Sequence, residues 1–343
     1  MPFRDVIGHR ALVTLLSRAA DRGAVPPSLI FAGPAGVGKR LVAIATAQAL
    51  NCPTPRRSAS SRDPSDGPEF DACGVCPTCT RIARGIYPDV LLIEPGENGS
   101  IKIEPVRDVV DRASFRPFEG RRRVVIFDEA DALVAAAQNA LLKTLEEPPS
   151  ASMFILITAR PDSLLPTVRS RCPRLRFRPL SPGDVAAGLT KNGKSEAEAR
   201  AIAATAEGSI GRALEASGDD LVGARDAAMR VLMHVARTDD PRRRLESARD
   251  LLEKTGGGGA GDRDALSTTL RAMASLLRDA ALLATRADRA ALTNADLAPA
   301  LERLSVFHGE RGIHAFAVVD EALVALERNA GVKIVADWVA VAL

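Results

Sequence analysis

A glycine-rich stretch near the amino terminus has the residue types and spacing of a phosphate-binding loop. It fits G-x-x-x-x-G-K, with Gly33, Gly38 and Lys39 at the fixed positions and a further glycine at Gly36. Glycines let the backbone approach a polyphosphate, N–H groups at the start of the next helix bind its oxygens, and the lysine adds positive charge. Such loops end in Ser or Thr, whose hydroxyl ligates Mg²⁺, but this chain has Arg40 there. We therefore predict that the loop binds ATP or ADP and hydrolyses ATP poorly, and the role of Mg²⁺ stays open.

Two acidic residues follow an apolar run further along the chain. Val124 to Phe127 is typical of a buried strand and runs directly into Asp128 and Glu129. Beside a phosphate loop, an aspartate in this position holds the Mg²⁺ shell, and a glutamate orients or activates a water. The pair is therefore predicted to be the acidic side of the nucleotide site. We interpret the three arginines just before the run, residues 121–123, as a solvated loop.

Four of the five cysteines are close in sequence, at Cys52, Cys73, Cys76 and Cys79. The spacing C-x2-C-x2-C with one upstream cysteine suits a tetrahedral Zn²⁺ site made of four thiolates. Because four protein ligands leave no open position for a substrate, the predicted site is structural. The alternative interpretation is a set of unpaired thiols.

The elements around these residues predict an α/β fold. A predicted strand, Ser28 to Ala32, precedes the phosphate loop, and an alanine-rich predicted helix, Leu41 to Leu50, follows it. Alternation of strands and helices predicts a parallel, doubly wound sheet with the loop at its carboxyl edge. Further strands are predicted at Asp89–Ile93, Met153–Thr158 and Arg174–Phe177.

The second half of the chain is predicted to be helical. After Pro179 the strands stop, and Ser181 and Ser195 have the positions of helix caps. Breaks are predicted at residues 239–241, which read Asp-Asp-Pro, and at the four glycines 256–259.

Composition limits the classes of function. The chain has 343 residues, of which 46% are hydrophobic and 26% charged, as in an ordinary soluble protein. Aromatic residues make up 3%, which argues against stacking platforms for single-stranded nucleic acid, and a net charge of +3 favours no nucleic-acid partner. We see neither a signal peptide nor an apolar run of membrane-spanning length, so we expect a cytoplasmic protein with no membrane partner.

Four stretches resemble a known family. The phosphate loop and the Asp-Glu-Ala-Asp at residues 128–131 resemble AAA+ ATPases. The sequence QNALLKTLEEPP at residues 138–149 resembles the bacterial DNA polymerase III clamp-loader subunits, and so does LLPTVRSRC at residues 164–172, which contains their Ser-Arg-Cys motif. The resemblance extends from the amino terminus to about residue 214 and covers the later helices only through length and position.

The resemblance implies a P-loop AAA+ domain and two helical domains. On that basis we expect the AAA+ nucleotide-binding domain at residues 1–179, with the zinc module inserted at 52–80. A small helical lid domain is expected at 180–222, and an all-α collar domain for oligomerisation at 223–343. The implied assembly is a pentameric ring with gamma or tau and delta subunits, which opens the sliding clamp and loads it on primed DNA.

The resemblance also implies roles for single residues. Arg171, in Ser-Arg-Cys, would be a trans arginine finger that reaches into a neighbouring subunit's ATP site. Thr158 matches the first sensor of bound nucleotide and Arg212 the second, and Val6 and Ile7 lie where the family packs the adenine ring. A guanidinium held near the γ-phosphate stabilises the charge that develops in the transition state.

The family contains ATP-hydrolysing motor subunits and a stator-like subunit that donates its finger but hydrolyses little. Arg40 favours the stator, because a motor needs the hydroxyl that ligates Mg²⁺. The alternative is a motor of the gamma or tau type, since Lys39, Asp128 and Glu129 are all present. A zinc-dependent nucleic-acid module or helicase is a further alternative, disfavoured because the second half is predicted to be helical.

Overall fold

The computed structural model describes two compact units. Residues 1–57, 68–96, 98–215, 218–252, 260–285, 292–327 and 330–343 are described. One unit comprises residues 1–184 and 208–212, and the other comprises residues 185–207 and 213–343. The predicted break at residues 256–259 lies outside the described residues.

The first unit is built on a parallel sheet. Five strands lie in the order β4-β5-β6-β1-β7, and every neighbouring pair is parallel. Strands β2 and β3 form a separate antiparallel ribbon. The strands are β1 (Ser28–Ala32), β2 (Arg56–Arg57), β3 (Phe70–Asp71), β4 (Val90–Ile93), β5 (Arg123–Phe127), β6 (Ser152–Thr158) and β7 (Arg174–Arg176). The predicted parallel sheet is therefore confirmed.

Helices cover both faces of this sheet. They are α1 (Arg10–Asp21), α2 (Lys39–Asn51), α3 (Pro77–Ala83), α4 (Ile103–Ala113), α5 (Ala135–Glu146) and α6 (Pro166–Arg169). Alternate residues of β1 point to opposite sides. Phe31 packs in one cluster with Leu16 of α1 and Val42 of α2, and Ile30 packs in the other with Leu141 of α5. The strands are apolar throughout because both faces are buried.

Strand β5 begins one residue earlier than predicted, at Arg123. This arginine is buried, so the interpretation of residues 121–123 as a solvated loop is wrong for Arg123. Its Nη2 donates to Oδ1 of the fully buried Asp89 at 2.9 Å. A buried guanidinium needs such a partner, and the sequence pattern did not reveal that Asp89 supplies it.

The second unit is helical, as predicted. Its helices and the helix leading into it are α7 (Pro182–Lys191), α8 (Glu196–Thr205), α9 (Ile210–Glu215), α10 (Gly218–Val235), α11 (Pro241–Glu246), α12 (Ala248–Leu252), α13 (Ala260–Ala284), α14 (Ala298–Leu301), α15 (Glu310–Glu327) and α16 (Val332–Ala342). Short 3-10 helices lie at Phe3–Asp5, Ala130–Ala132, Pro161–Ser163, Ala295–Leu297 and Glu302–Phe307. Nowhere in the described ranges is there a helix with both the length and the apolar composition that crossing a membrane requires.

Local signals set the ends of these helices. Ser195 caps α8, since its Oγ accepts from the N–H of Glu198 at 3.3 Å. The Oγ of Ser181 accepts from the N–H of Asp184 at 3.1 Å. The break at residues 239–241 is confirmed, because α11 starts at Pro241 with Asp240 as its cap. The core of the unit includes Leu232, Leu270, Met273, Val319 and Val339, from α10, α13, α15 and α16.

Asp89 organises the loop that enters β5. Its carboxylate accepts from the backbone N–H groups of Phe118 at 2.8 Å, Glu119 at 2.9 Å and Gly120 at 2.8 Å. Burial opposes ionisation of this carboxyl, but the three N–H donors and Arg123 outweigh it, so the pKa of Asp89 lies below its ordinary value. The folded state therefore holds a carboxylate that the loop and β5 both need.

We expect Asp89→Ala to lower the free energy of unfolding by about 3–5 kcal/mol at neutral pH, because it leaves the Arg123 guanidinium buried without its partner. The folded pKa is depressed, so this stabilisation is full above the unfolded pKa of about 3.9. It is lost as the pH falls through the lower folded pKa. Denaturant unfolding at several pH values measures the difference. Asp108→Ala, at an exposed site on α4, is the control, and equal unfolding midpoints at neutral pH would contradict the role of Asp89.

Candidate nucleotide site and cysteine cluster

The carboxyl ends of the parallel strands collect the predicted site residues at one edge of the sheet. Ala32, the last residue of β1, is paired with Thr158, the last of β6. At the same edge Ile93 of β4 is paired with Phe127 of β5, and Asp128 follows directly. The phosphate loop, the acidic residues and Thr158 are therefore neighbours because their strands run in the same direction.

Backbone conformation and close contacts require glycine at three positions of the phosphate loop. Gly38 precedes α2 with a φ of +95°, and Gly36 has a φ of +71°, in the region that side chains rarely adopt. A Cβ on Gly33 would lie 2.2 Å from the carbonyl oxygen of Phe177. A Cβ on Gly36 would lie 2.1 Å from Oγ of Ser209. The glycines thus allow the loop to pass close to the chain around residues 177 and 209.

Lys39 is the first residue of α2 and is buried. Its Nζ donates to the carbonyl oxygens of Gly33 at 2.7 Å and Pro34 at 2.5 Å, both in the phosphate loop. Burial lowers the pKa of this ammonium, and the charges of Asp128, Asp131 and Glu129 oppose that shift. The lysine therefore lies inside the loop, within the field of the acidic residues.

Arg40 points from α2 to the acidic edge of the sheet. Its Nη1 lies 3.3 Å from Oδ2 of Asp128 and is also ion-paired with Oε1 of Glu94, the residue after β4. Glu94 belongs to none of the sequence motifs. Its position directly after an apolar strand, like that of Asp128 after β5, was the available signal.

The remaining acids are arranged around Thr158. The Thr158 hydroxyl donates to Oδ1 of Asp131 at 2.8 Å, and Asp131 is ion-paired with Arg160 at 3.1 Å. Glu129 is exposed as a whole residue, although its carboxyl is partly buried, and it has a φ of +49°. Burial of the Glu129 carboxyl and the charges of Asp128, Asp131 and Glu94 raise its pKa. The edge therefore carries more carboxylates than a simple acidic pair.

Two further segments lie against the phosphate loop. The N–H of Gly211 donates to the carbonyl oxygen of Gly36 at 2.9 Å, and Arg212 follows it in sequence. Nε2 of His9 lies 2.8 Å from the carbonyl oxygen of Val37. Burial lowers the pKa of the His9 imidazole. His9 was missed by the sequence analysis, because a single histidine in a loop carries no motif.

Val6 and Ile7 belong to the segment that leads to His9. Both side chains are half-buried. Val6 packs against the cluster that contains Phe31 of β1 and Val42 of α2. The segment that was predicted to hold the adenine ring therefore lies on the same face of the sheet as α2.

Arg171 lies at the surface just after α6. Its Nη1 donates to the carbonyl oxygen of Thr167 at 2.7 Å, and its Nη2 is ion-paired with Glu146, the last residue of α5. The next residue, Cys172, is buried in the core, and burial raises the pKa of its thiol to about 11. The motif thus anchors its cysteine inside while its arginine stays partly exposed.

The four predicted cysteines come together in the fold. The sulfur atoms of Cys52, Cys73, Cys76 and Cys79 all lie within 4.8 Å of one another, and those of Cys73 and Cys79 are 3.9 Å apart. Tetrahedral Zn–S bonds of about 2.3 Å correspond to S–S separations of about 3.8 Å. Burial opposes ionisation of Cys73, but N–H donors from Val75 and Cys76 outweigh it and lower the pKa of the thiol to about 6. This cluster could hold a metal ion.

The amino-terminal segment holds the cysteine insertion on the domain. The guanidinium of Arg4 donates to Asp71 at 2.9 Å and to the carbonyl oxygens of Ala72 and Cys73, each at 2.8 Å. The N–H of Phe3 donates to Asp71 at 2.8 Å. Because residues this far apart in sequence meet only in the folded chain, the sequence analysis missed both Arg4 and Asp71.

Comparisons with known proteins match the first half of the chain. The family model described as "DNA polymerase III, delta subunit" matches residues 8–181. The chain is 35% identical over 189 residues to the DNA polymerase III subunit gamma/tau of Mycobacterium tuberculosis, covering 55% of this chain and 31% of that protein. It is 35% identical over 178 residues to the DNA polymerase III subunit tau of Escherichia coli, covering 52% of this chain and 26% of that protein. The chain spans about a third or less of the length of these relatives.

Solved structures align over most of the chain at low similarity. A DNA polymerase III gamma subunit-related protein from Thermotoga maritima is 17% identical with a TM-score of 0.42, covering 95% of this chain and 96% of that one. A RuvB protein from the same organism is 18% identical with a TM-score of 0.40, covering 89% of this chain and 90% of that one. At these TM-scores neither alignment bears on function.

We expect Gly36→Ala to destabilise the protein more than Gly23→Ala does. Both glycines have a positive φ, so both substitutions carry a backbone cost of about 1–2 kcal/mol. Only at Gly36 would the added Cβ also collide with Ser209, whereas a Cβ on Gly23 meets no atom within 4 Å. Denaturant unfolding of the two variants measures the difference. Equal losses would show that the loop can move away from Ser209 without cost.

Proposed function

The chain belongs to the protein family described as DNA polymerase III, delta subunit, and we propose that it is the stator-like delta prime subunit of a bacterial clamp loader. In this proposal it joins gamma or tau and delta subunits in a five-membered ring. The ring opens the sliding clamp of the replicative polymerase and loads it on primed DNA. The observation that carries the choice of subunit is Arg40, which stands where a motor subunit needs a hydroxyl and is paired with Asp128.

In this proposal the phosphate loop binds ATP or ADP and does not hydrolyse ATP efficiently. The loop conformation, Lys39 at the start of α2 and the N–H groups of that helix support binding. Hydrolysis requires Mg²⁺ between the phosphates and the protein, and Arg40 has no oxygen to offer the ion. Thr158 and Arg212 are proposed as the two sensors. Support comes from the ends of β6 and of the segment 209–212, both of which adjoin the loop.

The proposed catalytic contribution of the chain is made at a neighbouring subunit's site. Arg171 is partly exposed and is held by Thr167 and Glu146, so its guanidinium is directed by the ends of α6 and α5. A guanidinium presented in this way can enter a neighbour's ATP site and stabilise the transition state. Glu146, from the segment QNALLKTLEEPP, is proposed as the residue that positions the finger before it engages.

The helical domains are proposed to hold the subunit in its ring. We assign residues 1–179 to nucleotide binding, 180–222 to a lid and 223–343 to a collar. Apolar side chains at the surface of α15 and α16 support the collar assignment, because exposed apolar patches mark sites of association. The exposed members are Ile313, Phe316, Val324, Ile334, Trp338 and Val341.

The four-cysteine cluster is proposed to bind Zn²⁺ as a structural ion. Three of its cysteines are buried and the fourth is half-buried, which leaves little access for a substrate. Among its described residues, which exclude 58–67, the insertion places a ribbon of two short strands and the short helix α3 around the cluster. A metal ion would therefore supply the stability that so small a core cannot.

The second candidate function is an ATP-hydrolysing motor subunit of the gamma or tau type. It is favoured by the relatives described above, which are gamma/tau and tau subunits. Lys39, Asp128 and Glu129 are also present, as a motor requires. Against it stands Arg40, which removes the Mg²⁺ ligand and engages the aspartate that should hold the shell of the ion.

We expect Arg171→Ala to depress DNA-dependent ATP turnover in a clamp loader reconstituted with gamma and delta subunits. Loss of an arginine finger lowers turnover at the site it serves by about 10³–10⁵-fold. In a ring with several active sites this is measured as a partial loss of the total. Steady-state ATP hydrolysis with primed DNA and sliding clamp is the measurement, after gel filtration has shown that the variant joins the ring.

Arg169→Ala is the matched control for this experiment. Its side chain is 37% exposed, against 31% for Arg171, and it is ion-paired with Asp162 near the same end of α6. We expect it to leave turnover unchanged. Equal turnover for Arg171→Ala and the unmodified complex would contradict the finger, and robust hydrolysis by the isolated chain would favour the motor alternative.

We expect elemental analysis of the purified protein to find one zinc ion per chain. The double variant Cys76→Ser/Cys79→Ser should lose the ion, and its insertion should become sensitive to protease because the ion no longer ties it together. Cys172→Ala removes the cysteine outside the cluster and should keep the metal. A metal-free protein that resists protease as well as the metal-loaded one would argue against a structural zinc.

A further inference from the structure

Arg40 joins the ends of two neighbouring strands through charge. Glu94 follows β4 and Asp128 follows β5, and the guanidinium from α2 contacts both carboxylates through the single nitrogen Nη1. The Arg40 side chain is 44% exposed, whereas that of Asp128 is 17% exposed. The contact therefore lies at the rim of the site, with Asp128 set deeper than Arg40 and Glu94 more exposed than Arg40.

This contact occupies the two protein positions that a magnesium ion needs. In a phosphate loop with Ser or Thr after the lysine, that hydroxyl and the acidic strand's aspartate both act on one Mg²⁺. Mg²⁺ requires oxygen ligands in nearly octahedral geometry. Arg40 offers no oxygen, and Oδ2 of Asp128 is 3.3 Å from its Nη1. The residues present therefore do not fit the ion that the loop would ordinarily use.

The guanidinium can replace part of the positive charge of the ion but not its coordination. It carries one positive charge, five N–H donors and no acceptor. Because both acidic contacts use Nη1, the N–H groups of Nε and Nη2 can donate to phosphate oxygens. Arginine binds phosphate strongly for this reason. The cation is thus part of the chain and is held in place by Glu94 and Asp128.

We infer that this phosphate loop binds nucleoside di- or triphosphate without a divalent metal, with Arg40 as a built-in counter-ion fixed by Glu94 and Asp128. The inference rests on the proposed nucleotide binding and deepens it, because it names the form of the ligand. Lys39, which is bonded to the loop carbonyls of Gly33 and Pro34, supplies the second positive charge. Lys39 and Arg40, with Glu94 and Asp128 holding Arg40 in place, would allow the loop to bind phosphate without the metal-ligating hydroxyl.

The test is calorimetric titration of the full chain with ATP, in EDTA and again with excess Mg²⁺. For the unmodified protein we expect that Mg²⁺ does not tighten ATP binding by more than about threefold, because the protein offers the metal no ligand. Arg40→Thr restores the hydroxyl and removes the counter-ion. We expect it to bind at least about tenfold more weakly than the unmodified protein in EDTA, and to gain at least about tenfold on addition of Mg²⁺.

Two variants sharpen the comparison. Arg40→Lys keeps a cation at the site and should therefore bind ATP in EDTA within about tenfold of the unmodified protein, again without a response to Mg²⁺. Arg18→Thr removes an arginine of α1 that is 47% exposed and ion-paired with Glu69, and it should behave as the unmodified protein does. Circular dichroism melting of each variant shows that it is folded.

Three results would overturn the inference. The first is ATP binding by the unmodified protein that tightens more than about threefold with Mg²⁺, and the second is Arg40→Thr binding that is as metal-independent as that of the unmodified protein. The third is the absence of ATP binding in both conditions. Turnover in the reconstituted complex, with and without Arg171, is a separate measurement, so the proposed role in the ring can fail or stand independently.

Discussion

All five strands of the main sheet run in the same direction, and this constraint brings the phosphate loop and the acidic residues of the candidate site to one edge. Parallel strands end at one edge, so the residues that follow β1, β4, β5 and β6 are neighbours there although the chain separates them widely. The phosphate loop, Glu94, Asp128 and Thr158 belong to this edge. The hydrogen-bonded strand pairs set where the backbone of these residues lies, so their charged groups are held near one another.

An edge that gathers several carboxylates must be balanced by positive charge. Glu129 shows the consequence, because burial and the neighbouring acids raise the pKa of its carboxyl. Arg40 offsets part of this charge at Glu94 and Asp128, and Arg160 offsets part of it at Asp131. The guanidinium groups of Arg40 and Arg160 thus lie among these carboxylates, at the edge where we propose that nucleotide binds.

Ion pairs between distant parts of the chain also stabilise the protein away from this edge. Buried Asp89 holds the loop before β5 and neutralises Arg123. Asp71 holds Arg4 and so fixes the cysteine insertion to the amino terminus. In each case the charged partners are more than thirty residues apart. Such pairs have no local signature, which is why the sequence analysis took Arg123 for a solvated residue and gave Arg4 no role.

The sequence by itself determined the sheet, the helical second half and the members of the cysteine cluster. Strands buried on both faces appear in the sequence as continuous apolar runs. The spacing of the glycines predicts the phosphate loop, and the spacing of the cysteines predicts that their thiols share one site. Only the tertiary structure decided the partners of the charged residues: Glu94 for Arg40, Glu146 for Arg171, and His9 beside the loop. The physical reason is that strands and helices follow from the pattern of residues that are close in sequence. The partner of a charge, by contrast, is whichever group the fold brings within a few ångströms.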